Sequence, residues 1–136
     1  MHDKSAISLG RIDRFVREWI APAVVRAAEP LNFTFWETPD EPVTFDEAMT
    51  GQFIPGEIGM PWGKPWRTTW FHLLGQVPQS WPLPGTRAEL LVDLGWIDAG
   101  PGFQAEAAAW NPQGGLVKGM SPGNHFVPLA PGTTGG

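Results

Sequence analysis

Few residues in this 136-residue chain have types and spacings that could do chemistry, and each group has a gap. Gly119-Met120-Ser121-Pro122-Gly123 matches G-x-S-x-G, the sharp turn that presents a hydrolase serine. That turn uses the backbone N–H after the serine as an oxyanion donor, and Pro122 has none. The usual chain order also places an acid after the serine, yet no Asp or Glu follows Glu106. Gly100-Pro101-Gly102-Phe103-Gln104-Ala105 fits a dinucleotide fingerprint without its strand–helix–strand context or the acid that should follow, so it reads as a turn. His2, His72 and His125 stand at no metal-ligand spacing. His72 alternates with Trp70 and Leu74, as a satisfied core or interface histidine would. Asp93, Asp98 and Glu106 are the central acids, and glycoside hydrolysis needs a carboxyl pair about 5–10 Å apart. Turn hydrogen bonds and edge charges account for all three. With no cysteine, thiol chemistry, disulfides and Cys-based zinc sites are excluded together. The reading is no catalytic residue, no metal ligand and no cofactor in this chain.

The aromatic residues remain. The chain has 8 Trp and 8 Phe but no Tyr. Trp62, Trp66, Trp70 and Phe71 crowd together, and Trp81, Trp96 and Trp110 fall in or beside loops. An indole face is a flat apolar platform with a polar N–H at its edge. That suits a sugar ring, apolar on its faces and hydroxylated round its rim. Trp66 and Trp70 lie inside a strand pattern and read as core. Trp62, Trp96 and Trp110, beside Gly/Pro-rich loops, are the candidates for contact with carbohydrate or with a neighbouring domain.

The elements that must position these residues are short. Gly and Pro number 17 and 15, about twice average usage, which excludes a chain of long helices. Lys plus Arg is 9 against 14 for Asp plus Glu, so the net charge of −5 has the wrong sign for nucleic acid. No apolar run has the length of a membrane span or a signal peptide, and the expected location is cytoplasmic. Residues 1–30 form a helical segment. Leu9, Ile12, Phe15, Val16, Trp19 and Ile20 share one face, Ser8 is placed to cap it, and Pro22 to end it.

Residues 31–136 read as a β-sandwich. Leu31 to Trp36 alternates as a strand, Val43 to Phe45 reads as a short strand, and Phe45 to Met49 is compatible with one helical turn. Residues 51–65 form a loop. Trp66 to Leu74 is a strand apolar on both faces and so placed centrally in its sheet. Pro78 to Gly85 turns, Glu89 to Leu94 is a strand, and Phe103 to Trp110 is a strand entering a hairpin at Asn111–Gly115. Leu116 to Lys118 returns from that hairpin, and Phe126 to Leu129 is a strand that Pro128 limits to an edge or an end.

One run carries more information than any motif above: Pro61-Trp62-Gly63-Lys64-Pro65-Trp66-Arg67-Thr68-Thr69-Trp70-Phe71. With Val77-Pro78, Trp81, Asp93-Leu94-Gly95, Pro101 to Glu106, Lys118-Gly119-Met120 and Val127-Pro128-Leu129, it resembles the N-terminal domain of the cytosolic-type α-mannosidases of glycoside hydrolase family 38. The resemblance implies a mainly β fold, a galactose-binding-like jelly-roll sandwich with an N-terminal amphipathic helix. It implies a parent hydrolase, a retaining zinc-dependent α-mannosidase acting in glycan breakdown, whose zinc ligands and aspartate nucleophile lie in a downstream catalytic domain. No position here matches them. The expected partners are that catalytic domain and mannosides, with neither nucleic acid nor membrane. In the resembling enzymes further strands follow, so the sandwich is expected to be truncated after the tail Pro131–Gly136. A free-standing carbohydrate-binding or docking sandwich is the alternative.

Overall fold

The computed structural model describes residues 4–39, 42–81, 85–97 and 104–129. Asp98, the turn at Gly100–Phe103 and the tail Pro131–Gly136 lie outside the described residues, as do residues 82–84 of the Pro78–Gly85 turn. The chain separates into two compact units, Met1–Pro30 and Leu31–Gly136.

The first unit is one continuous helical run: α1 (Ser5–Phe15), a π-helical turn at Val16–Ile20, and α2 (Ala21–Val24). Ser8 does not cap it. The helix starts three residues earlier, after Lys4, without a side-chain cap. Pro22 does not end it either, because the preceding turn widens. The Ala21 N–H reaches back five residues to the Val16 carbonyl, the spacing of a π-turn. A mid-helix proline lacks the N–H for its own bond and its ring presses on the carbonyl four residues back. A wider turn ahead of the ring relieves that pressure. Among the described residues, no helix is long and apolar enough to cross a membrane.

The second unit is mainly β. Its described strands are β1 (Asn32–Glu37), β2 (Ile54–Pro55), β3 (Thr69–Leu74), β4 (Glu89–Leu91), β5 (Ala107–Trp110), β6 (Leu116–Met120) and β7 (Phe126–Pro128). They pair antiparallel as β2-β1-β3, β4-β7 and β5-β6. The long β1–β3 pairing sets Glu37 opposite Thr69, Phe35 opposite Phe71 and Phe33 opposite Leu73 on one face. Trp36 opposite Trp70 and Thr34 opposite His72 occupy the other. Thr38 continues the pairing by donating both its N–H and its hydroxyl to the Thr68 carbonyl, at 3.0 and 3.1 Å.

Several expectations change here. The strand expected from Trp66 begins at Thr69, and it is β1 that lies between two strands while β3 lies at the edge of the described sheet. Both faces of β3 are apolar because rings from other segments cover them, not because strands flank it on both sides. The Trp62 ring covers Phe71 from one side, and Phe45 and Trp110 cover Trp70 from the other. Val43–Phe45 is not a strand. Thr44 caps one helical turn, α3 (Phe45–Ala48), through a reciprocal capping box with Glu47. The strand from Glu89 stops at Leu91, because Asp93 Oδ1 takes the Gly95 N–H at 2.8 Å and turns the chain. The β5–β6 hairpin forms at the expected turn, but its first strand starts at Ala107 and not at Phe103, which lies outside the described residues. Asn111 Oδ1 accepts from the N–H groups of Gln113 and Gly115, at 3.0 and 2.8 Å, and Gly114 takes the positive φ of 80° that the turn requires.

Candidate functional site

The three sequence candidates occupy three separate places. Trp110 stacks within a triangle with Phe45 and Trp70, ring centroids 6.0–6.2 Å apart. Trp96 donates its indole N–H to the Ala105 carbonyl at 2.6 Å and lies 5.7 Å from the His125 ring. Gln104 ties down the same loop by bonding both the N–H and the carbonyl of Ile97, at 2.8 and 3.0 Å. Trp62 sits edge-on to Phe71 at 5.2 Å, on the Phe33–Phe35–Phe71 face.

Around Trp62 polar groups converge. The Glu37 carboxylate accepts the Gly63 N–H at 3.2 Å, which holds the loop against the end of β1. Thr69, opposite Glu37 in the register, has a buried hydroxyl with no hydrogen-bond partner among the described residues. A methyl group at Gly63 would stand 3.7 Å from that hydroxyl, so it lies directly beneath the loop. On the β2 side, Phe35, Trp36, Glu37, Gln52 and Ile54 line an open groove of about 310 Å³.

Trp66 belongs to the same loop and overturns its reading as core. It is 99% exposed and has φ of 64°. The Arg67 N–H returns to the Lys64 carbonyl at 3.1 Å, closing a Lys64-Pro65-Trp66-Arg67 turn with proline second and a positive φ third. That is the pattern of a type II turn, whose third position favours glycine or asparagine. The Arg67 guanidinium fastens the turn to the Pro39 carbonyl. Alternation counted Trp66 into the strand, whereas the Pro65 turn lifts it out. His72, read as a core or interface histidine, is exposed, with its ring edge-on to Phe53 at 6.1 Å, so it is no core residue.

Residues 29–136 match the family described as alpha-mannosidase, jelly roll domain. The chain belongs to that family. Its second unit is therefore an α-mannosidase jelly-roll domain, and the sandwich fold expected from the sequence is the fold of the family. No curated protein matches the chain. Among the described residues no three of His, Cys, Asp or Glu lie together. Asp93 is committed to the Gly95 turn, and Glu89 to Arg87 at 2.6 Å. The G-x-S-x-G match is a tight turn closed by reciprocal backbone bonds between Ser121 and Asn124. One acid does have a perturbed titration. Hydrogen bonds from the Thr44 backbone, and then from its hydroxyl, hold the Glu47 carboxyl below its ordinary range, and these belong to the helix cap.

Proposed function

We propose that the chain is the non-catalytic N-terminal domain of a cytoplasmic family 38 α-mannosidase that hydrolyses α-mannosides in glycan breakdown, and that it docks on that enzyme's zinc-dependent catalytic domain. The observation that carries this reading is the family match over residues 29–136. The placement of the acids supports a non-catalytic role: Asp93, Glu89 and Glu47 each hold a turn, an ion pair or a helix cap. What the domain offers a partner is an aromatic, loop-built surface rather than a carboxyl pair. Docking through exposed rings positioned by a rigid sheet is a common use of such loops.

The test has two arms. The purified 136-residue chain is assayed on an aryl α-mannoside with and without added zinc, and no turnover is expected. The reading frame beyond Gly136 is then determined, and an in-frame His/Asp-rich catalytic domain is expected. Turnover by the purified chain, with contaminating enzyme excluded, would overturn the non-catalytic role. A stop codon directly after Gly136 would overturn the docking role.

A further inference from the structure

We infer that the loop end of the β1–β3 face is a binding site for a neutral saccharide of one to two pyranose rings, with Trp66 as a stacking platform for one ring and the Glu37 carboxylate as hydroxyl acceptor in the adjoining groove. The inference deepens the mannosidase-domain reading, and rests on it only for the choice of mannosides as the preferred sugars.

Trp66 has two features that folding alone does not require. Its ring buries almost nothing, at 99% exposure, so it contributes no core. Its backbone holds a positive φ at a turn position suited to glycine, a conformation costly for a bulky L-residue. Strain of this kind persists where the surroundings impose it and clusters at ligand sites. Here the surroundings are Pro65 and the fastening of Arg67 to the Pro39 carbonyl.

The polar half of the site is within reach. Trp66 follows Gly63 by three residues, and the Gly63 N–H is bonded to Glu37. Three residues span at most about 11 Å of extended chain, so the Trp66 backbone and the Glu37 carboxylate lie within the length of a disaccharide. One Glu37 oxygen holds the loop, which leaves the other for a ligand hydroxyl. Gln52 adds an amide that donates and accepts, and Phe35 and Ile54 give the groove an apolar wall. The groove's 310 Å³ is at the small end of ligand sites, the size for one ring rather than a large cofactor. A carboxylate in the groove repels anions. An apolar wall beside hydroxyl acceptors suits a polyol ring.

The experiment titrates methyl α-mannopyranoside, methyl α-glucopyranoside and methyl α-galactopyranoside into the 136-residue chain, followed by amide and indole NMR. The expected result is saturable movement of the Trp66 indole and the Gly63 amide at millimolar sugar. Trp66→Ala should weaken binding about tenfold or more, the scale of a lost stacking contact, with an unchanged fold because the ring is exposed. Glu37→Gln, which keeps the shape, should weaken it less. Saturation by any of the three sugars, lost in Trp66→Ala, supports the site, and preference for the mannoside ties it to the mannosidase reading. No movement with any sugar, or equal movement in Trp66→Ala, overturns it. Neither result alters the family assignment or the expectation of no turnover, so failure of the site and failure of the domain's proposed role are read from different measurements.

Discussion

The positive φ at Trp66 makes a quantitative prediction about stability, separable from any ligand. An L-residue in the left-handed region costs about 1–2 kcal/mol relative to the right-handed one, while glycine is nearly indifferent. Glycine in turn gives the unfolded chain more freedom, which costs about 0.4–1 kcal/mol. Because the Trp66 ring is 99% exposed, removing it forfeits almost no burial. The informative comparison is therefore Trp66→Gly against Trp66→Ala, since both lack the ring and differ in backbone preference. The difference predicts that Trp66→Gly is more stable than Trp66→Ala by about 0.5–1 kcal/mol. At the scale of a domain this size, that is a rise in Tm of a few degrees. Thermal unfolding followed by circular dichroism, with urea unfolding as a second axis, measures it. If Trp66→Gly melts at or below Trp66→Ala, the turn does not hold a left-handed residue in solution. The strain argument for a functional Trp66 then loses its basis, even if sugar binding were found.

Trp110→Ala should destabilise the chain by about 2 kcal/mol, reduced from the usual cost of a buried tryptophan because Trp110 is 41% exposed, and should leave pyranoside titrations unchanged. Equal stability, or loss of sugar binding, would contradict its placement in the Phe45–Trp70 triangle. Thr44→Ala should raise the Glu47 pKa only part of the way toward the ordinary carboxylate range, read by carboxyl NMR titration, because it removes the hydroxyl bond and keeps the larger cause, the bond from the Thr44 backbone N–H. In the intact protein a lowered folded pKa means that the cap's contribution is present above the unfolded carboxylate pKa. It is lost as pH falls through the folded value, so the stability difference between wild type and Thr44→Ala should shrink toward acid.

β1 was legible from the sequence because its side chains alternate over several residues, and the β5–β6 hairpin because the Asn111–Gly115 stretch has the chemistry of a tight turn. The two-residue β2 was not, because Ile54–Pro55 sits in a Gly/Pro-rich stretch too short to show a period. Pro22 misled because a single π-turn absorbs a proline that would otherwise end a helix. The capping box at Thr44–Glu47 was present as a Thr-x-x-Glu pattern, a stronger signal than the three residues Val43–Phe45 that were read as a strand. At the site, the convergence of Glu37, Gly63, Thr69 and Trp62 depends on register between segments about thirty residues apart, which no local pattern encodes.

Trp66 is a different case. The alternation Trp66, Thr68, Trp70 is real, yet Lys64-Pro65 ahead of it begins a turn, and the two rules give opposite faces for the same residue. Turn geometry prevails because Pro65 fixes its own φ, and the Arg67 N–H closes on Lys64 before pairing with β1 begins at Thr69. Stability alone would favour glycine in that third position. Sequences usually satisfy local and global preferences together, and departures concentrate at functional positions. The conflict that concealed Trp66 from periodicity is thus the physical reason to test it first.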